Sequence, residues 1–221
     1  SKRVNAVKKA FNATFKNGEA YKPGKCARYA YNHAYNYTQA LKGGALKDGA
    51  NQPAGGNANQ NIYWSNLVKL GYTQTQIGKN ITKEELKNFI TSNSFNVGDV
   101  LVYWGNGDTS LGGVKYGHTQ MYTGGFAQAG GGGGYFMFSS YDVLARQQDL
   151  NLKRRIIQPD VSYRVTALPD GKRAVMLYNT PGGRFDFGDS ELMRGRVWYW
   201  YYDTTDADRD QCLKDNPDIV K

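Results

Sequence analysis

The chain has 221 residues, which fits one domain, or one domain with a small appendage, at about 100–200 residues per domain. Aromatic residues make up 14% and include 17 tyrosines, a composition that excludes a disordered chain. Lys and Arg number 28 against 19 for Asp and Glu, a net charge of +9. This excess favours an anionic partner such as nucleic acid, anionic lipid or an acidic wall polymer, with a merely soluble surface as the alternative. No run of about 20 apolar residues is present, so we expect no transmembrane segment.

The two cysteines, Cys26 and Cys212, are too few for a disulfide framework. A disulfide between them is the less favoured alternative, because the sequence around Cys26 suits a reactive free thiol. No Cys-x-x-Cys pair or His-rich tract occurs, so we expect no metal and no cofactor. The chain begins at Ser1 without the basic and apolar regions of a signal peptide. A removed signal, another export route and a trimmed sequence all stay open.

Apolar residues at helical spacing, glycines at helix ends and the capping-box pair Thr82 and Glu85 predict four helices. These helices are expected at 1–17, from a start near Cys26, at Ile62–Leu70 and at Lys83–Thr91.

Runs rich in β-forming residues follow the helices. They predict strands at Asp99–Trp104, His118–Thr123, Tyr135–Tyr141, Val161–Ala167, Ala174–Tyr178 and Arg196–Tyr202. Helices followed by antiparallel strands predict an α+β fold. We place a boundary near residue 145, between a domain at 1–145 and a strand-rich extension at 146–221. The alternative is that the later strands extend the same sheet.

Cys26 lies where the second helix is expected to begin. The helix dipole and the unpaired N–H groups of a first turn favour a thiolate, and Lys25 and Arg28 add positive charge. A thiolate can attack a carbonyl carbon, and the same N–H groups can receive the oxyanion that forms. The alternative is a small, inert cysteine in the core.

The chain offers two histidines as the base for such a nucleophile. His33 follows Cys26 by seven residues on one helix, about 10 Å along the axis, which is too far for a hydrogen bond. We therefore expect His33 to be structural or to line a groove. His118 opens a predicted strand directly after Gly117, which suits an imidazole that faces a cleft.

The pattern Tyr21-x-x-Gly24-x-Cys26-x-x-Tyr29 resembles the nucleophile motif of CHAP domains, the amidase and peptidase relatives of NlpC/P60 and papain. Further matches follow in the family's order over about residues 15–145. They are Gly56-Asn57-Ala58, then Trp64, Leu67 and Gly71-Tyr72, then Val97–Val102, and Tyr116-Gly117-His118.

The resemblance implies a papain-like α+β fold with helices packed on an antiparallel sheet, and an enzyme that cleaves amide or peptide bonds in peptidoglycan. It makes Cys26 the nucleophile and His118 the base and then the acid. Where the family has an orienting Glu or Asn on the next strand, this chain has Ser140 and Asp142. We choose Asp142 as the third catalytic residue, because a carboxylate can hold the imidazole tautomer. Tyr21, Trp104 and Ser140 are the expected substrate-binding residues, with the Tyr21 hydroxyl near the oxyanion. For Tyr21 the alternative is ordinary packing, and for Trp104 it is a place in the core.

The resulting expectation is a cysteine amidase or endopeptidase of the bacterial cell wall, either a phage virion-associated lysin or a secreted protein. Its expected location is extracellular, periplasmic or on a virion, and its expected partners are the wall peptide and other virion or envelope proteins. A non-catalytic module of a phage tail-like assembly with the same fold is the alternative. Specific nucleic-acid binding is not expected, because the one compact basic cluster is Lys153-Arg154-Arg155.

Overall fold

The computed structural model describes residues 2–14, 25–92, 94–95, 98–105, 115–122, 138–139, 154–157, 165, 168–181, 193–194 and 199–202. The helices are α1 (Lys2–Thr14), α2 (Cys26–Lys42), α3 (Asn61–Lys69) and α4 (Lys83–Ser92). The strands are β1 (Thr73–Ile81), β2 (Ser94–Phe95), β3 (Val100–Gly105), β4 (His118–Tyr122), β5 (Phe138–Ser139), β6 (Arg154–Ile157), β7 (Arg173–Asn179), β8 (Met193–Arg194) and β9 (Tyr199–Tyr202).

The four predicted helices are confirmed in order and close to their expected ends. Helix α2 begins at Cys26, and Gly43 ends it in the left-handed conformation at φ 72°, which glycine adopts without a steric penalty. The capping box before α4 is formed, since the Glu85 N–H donates to Thr82 Oγ1 at 3.0 Å and the Thr82 N–H donates to Glu85 Oε2 at 2.7 Å. Within the described part of the chain, none of the helices has the length and apolar character that a membrane span requires.

An antiparallel sheet follows the helices, with the strand order β1-β7-β3-β4-β5. Four strands make up most of it, because β5 contributes two residues at one edge. Every residue of β3 and β7 is buried, so both faces of the central strands are covered. Helix α2 packs against β4. The expected α+β architecture, N-terminal helices on an antiparallel sheet, is therefore confirmed.

Strand β7 occupies an interior position between β1 and β3. It covers the predicted Ala174–Tyr178 with one further residue at each end. A segment beyond residue 145 thus extends the same sheet that carries β3 and β4.

Strand β1 was not predicted from the sequence. It forms a sheet edge, its residues are exposed or half-buried, and its pairing with β7 is irregular at two points. Asn80 has a φ of 52°, a left-handed conformation that is uncommon outside glycine. An exposed, irregular edge strand lacks the apolar alternation that identifies a half-buried strand.

Two short ribbons accompany the main sheet. Strand β2 pairs with β8, and β6 pairs with β9. Strand β9 falls within the predicted strand Arg196–Tyr202, and β5 within the predicted Tyr135–Tyr141. Of the predicted Val161–Ala167, only Val165 belongs to the described residues, and it is buried.

A buried carboxylate ties the start of β3 to the end of β7. Asp99 is 1% exposed and accepts hydrogen bonds from Asn179 Nδ2 at 3.0 Å and from the Thr180 N–H at 2.9 Å. The Tyr72 hydroxyl donates to the carbonyl of the adjacent Gly98 at 2.7 Å. These charge-assisted and neutral bonds fix the relative position of three strands inside the core.

His33 packs between α1 and α2 and is completely buried. Its Nε2 lies 3.4 Å from the Val7 carbonyl oxygen, and its ring meets Phe11 edge-on at 5.8 Å. Burial lowers the pKa of His33 to about 4, although the hydrogen bond with Val7 opposes this shift. His33 is therefore a structural residue and does not line a groove.

Replacing Asp99 with alanine should lower the free energy of unfolding by about 3 kcal/mol or more, because two buried donors lose their acceptor. Urea denaturation followed by circular dichroism would measure this change. The exposed carboxylate Glu84 provides the control, since Glu84→Ala should cost less than about 1 kcal/mol. Equal effects of the two substitutions would contradict the role given to Asp99.

Stability should fall in mild acid because of His33. The pKa of His33 is about 4 when folded and about 6.5 when unfolded. Between these values the unfolded chain binds the proton first, so the free energy of unfolding decreases as pH falls from about 6.5 towards 4. Between pH 7 and 4.5 the loss from this group should be about 2–3 kcal/mol. In urea titrations over the same pH interval, the free energy of unfolding of His33→Gln should fall by about 2–3 kcal/mol less than that of the parent. An equal decrease in the two proteins would contradict the lowered pKa of His33.

Candidate functional site

Cys26 is the first residue of α2 and a free, largely buried thiol, 7% exposed. The residue before it, Lys25, has φ −114° and ψ 25° and makes no side-chain hydrogen bond to the first turn. The first turn of a helix has N–H groups without intrahelical partners and the positive end of the helix dipole. N–H groups of the first turn of α2 can therefore donate hydrogen bonds to an oxyanion beside Cys26.

His118 is the first residue of β4 and is 5% exposed. It is the register partner of Tyr103 on β3, and the two rings meet edge-on with centroids 5.3 Å apart. The residue before it, Gly117, has a φ of 71°, and a Cβ there would stand 3.0 Å from the Tyr103 carbonyl oxygen and 3.2 Å from the Asn59 Cβ. Glycine is required by both the backbone conformation and the lack of space, so the entry of the chain into β4 is tightly determined.

Tyr63 on α3 bonds to the strand that begins at His118. Its buried hydroxyl lies 2.8 Å from Thr119 Oγ1, next to His118 in the chain. The Thr119 hydroxyl donates its one hydrogen to the Leu101 carbonyl at 2.9 Å, so Tyr63 is the donor to Thr119.

Cys26 and Tyr63 both belong to the cluster of buried core residues. Burial raises the pKa of Tyr63, and the hydrogen bond with Thr119 lowers it. Helix α2, which begins at Cys26, packs against β4, which begins at His118.

The loop before α3 holds the turn that leads to His118. The Asn59 N–H donates to the Tyr116 carbonyl at 3.2 Å, and Asn59 Nδ2 donates to the Lys115 carbonyl at 2.7 Å. The indole N–H of Trp64 closes the same loop by donating to the Ala58 carbonyl at 2.6 Å. Two segments that are 56 residues apart thus form one unit beside β4.

Trp104, an expected substrate-binding residue, is 8% exposed. Its ring packs on Trp64 with centroids 5.1 Å apart and planes inclined by 42°. Trp104 belongs to the cluster of buried core residues, and Trp64 of α3 packs against that cluster. Most of the surface of Trp104 is thus taken up by core packing, the alternative to a substrate-binding role.

The other predicted site residues, Tyr21, Ser140 and Asp142, lie outside the described residues. Among the residues that are described, no group of three or more His, Cys, Asp and Glu side chains could hold a metal ion.

The sequence did not predict a role at the site for Tyr63, Thr119 or Asn59. The one local signal is the four-residue spacing of Tyr63 and Leu67, both fully buried, which marks the inner face of α3. Nothing local identifies Thr119 as the hydrogen-bond partner of Tyr63, because the two are 56 positions apart.

Comparison of the chain with family models, curated proteins and solved structures gives no match in any of the three. The resemblance to CHAP domains therefore rests on the motifs and their order.

Proposed function

We propose that the protein is a papain-like cysteine amidase or endopeptidase that cuts an amide or peptide bond in bacterial peptidoglycan. The observation that carries this proposal is that α2, which begins at Cys26, packs against β4, which begins at His118. A helix N-terminus, a thiol and an imidazole are the parts that acyl transfer through a thiolate needs.

In the proposed reaction, His118 removes the proton from the Cys26 sulfur, and the thiolate attacks the scissile carbonyl carbon. The carbonyl oxygen becomes an oxyanion that accepts hydrogen bonds from N–H groups of the first turn of α2. When the C–N bond breaks, the leaving amine takes the proton from His118. Water then attacks the thioester with His118 as base, which releases a carboxylic acid and restores the thiol.

The resemblance supplies the remaining roles in this proposal. Asp142 orients the imidazole of His118 through a hydrogen bond to the ring nitrogen that does not exchange protons with sulfur. The Tyr21 hydroxyl assists at the oxyanion, while Ser140 and Trp104 contact the substrate. We retain the CHAP and NlpC/P60 assignment as part of the proposal.

The net charge of +9 supports an acidic polymer as substrate, because opposite charge raises the local concentration of protein at an anionic surface. The proposed setting is extracellular or periplasmic, either as a phage virion-associated lysin or as a secreted protein, with envelope or virion proteins as further partners.

The β6–β9 ribbon favours a second candidate function, a non-catalytic module that binds a wall or virion component. Its register sets Arg154 opposite Tyr202 and Arg155 opposite Tyr201. The backbone register thus pairs two arginines of β6 with two tyrosines of β9. Arginine and aromatic residues are enriched where proteins bind other molecules.

Cys26→Ala separates the two candidates. Under the proposed function it should reduce the release of fragments from purified sacculi by at least about 10³-fold, because the nucleophile is lost, while the circular dichroism spectrum stays unchanged. Mass spectrometry of the fragments would also identify the bond that is cut.

Cys212→Ala is the matched control, since it removes the other thiol, and its activity should equal that of the parent. Full activity in Cys26→Ala would contradict the proposal. A folded parent without activity on sacculi would favour the non-catalytic module.

A further inference from the structure

A large exposed aromatic side chain lies beside the candidate site. Tyr116 is 47% exposed and stands two residues before His118. Consecutive residues span at most about 3.3–3.6 Å each, so the two Cα atoms are within about 7 Å. A single exposed tyrosine is ordinary on a protein surface, but two observations distinguish Tyr116.

The first observation is that the backbone of Tyr116 is held rigidly. Asn59 donates to the carbonyl oxygens of both Lys115 and Tyr116, at 2.7 Å and 3.2 Å. Gly117, which follows, is fixed in the left-handed region at φ 71° with no space for a side chain. A surface that is ordered before a ligand arrives loses less conformational entropy on binding.

The second observation is the positive charge that lies over the Tyr116 ring. The Lys115 ammonium lies 5.6 Å from the centroid of the Tyr116 ring, within the range of a cation–π interaction. Lys115 is itself exposed, so its ammonium stays accessible to a ligand. Together, Lys115 and Tyr116 present a flat ring with a cation above it, which we call the Lys115–Tyr116 platform.

We propose that the Lys115–Tyr116 platform binds a carboxylate-bearing peptide of the cell wall and positions it for cleavage at Cys26. The Lys115 ammonium binds a peptide carboxylate, and the Tyr116 ring packs against the adjoining backbone. This inference rests on the proposed function and names the part of the substrate that is recognised, an acidic residue near the scissile bond. The overall charge of +9 agrees with an anionic ligand, and Tyr116 stands two residues before His118 in the chain.

Binding can be measured without turnover in Cys26→Ala protein, by calorimetry with a soluble, carboxylate-bearing wall peptide and with the same peptide amidated at its carboxyl groups. Tyr116→Ala in this background should weaken binding of the acidic peptide at least tenfold. Lys115→Ala should weaken it by about threefold to tenfold, and should have no effect on the amidated peptide. In protein with Cys26 intact, Tyr116→Ala should raise KM with little change in kcat, because uniform binding is lost.

Matched controls come from the edge strand β1, which β7 and β3 separate from β4. Ile77 on β1 is also 47% exposed, and Lys79 on the same strand is an exposed lysine; Ile77→Ala and Lys79→Ala should bind as the parent does. Circular dichroism would verify that each variant is folded, and Tyr116→Phe should retain binding because it keeps the ring.

Unchanged affinity in both Tyr116→Ala and Lys115→Ala would overturn the platform, as would tighter binding of polyphosphate or single-stranded DNA than of the acidic peptide. The platform and the proposed function can fail separately. A parent that binds the peptide through Tyr116 but never cleaves sacculi refutes the enzyme and leaves the platform. An active parent whose KM does not respond to Tyr116→Ala refutes the platform alone.

Discussion

The buried hydrogen bond from Tyr63 to Thr119 is the contact around which the candidate site is built. It is 2.8 Å long and joins α3 to the strand whose first residue is His118. Such a bond is retained in a water-free interior because each partner left alone would pay a desolvation cost of about 1–3 kcal/mol. Helix α2, which begins at Cys26, packs against the same strand.

The sequence predicts the parts of this fold that have strong local signals. The four helices follow from apolar spacing and from the Thr82–Glu85 capping box, and the interior strands β3 and β7 follow from their β-forming residues. The edge strand β1 could not be predicted, since its exposed, bulged pairing with β7 leaves no alternation to detect. The interior position of β7 in the sheet could not be predicted either. Strand order depends on contacts between residues that are far apart in sequence, such as Tyr103 and Val175.

The candidate site likewise contains residues that the sequence predicts and residues that it does not. Cys26 and His118 could be selected because helix starts and glycine-preceded strand starts are recognisable locally, and because the chain has few cysteines and histidines. Asn59 could not be, since its importance lies in two hydrogen bonds to carbonyl oxygens 56 and 57 residues away. Backbone carbonyls have no residue-specific signature, so a side chain that holds a distant turn looks like any other loop asparagine.

The proposed reaction depends most on a working partnership between Cys26 and His118, and the alkylation rate of Cys26 measures it directly. In protein carrying Cys212→Ala, Cys26 is the thiol that remains, and its rate of reaction with iodoacetamide is measured at pH 6. Because an imidazolium partner stabilises the reactive thiolate, His118→Gln should slow alkylation at least tenfold in folded protein. Equal rates with and without the imidazole would contradict the partnership, and with it the proposed reaction.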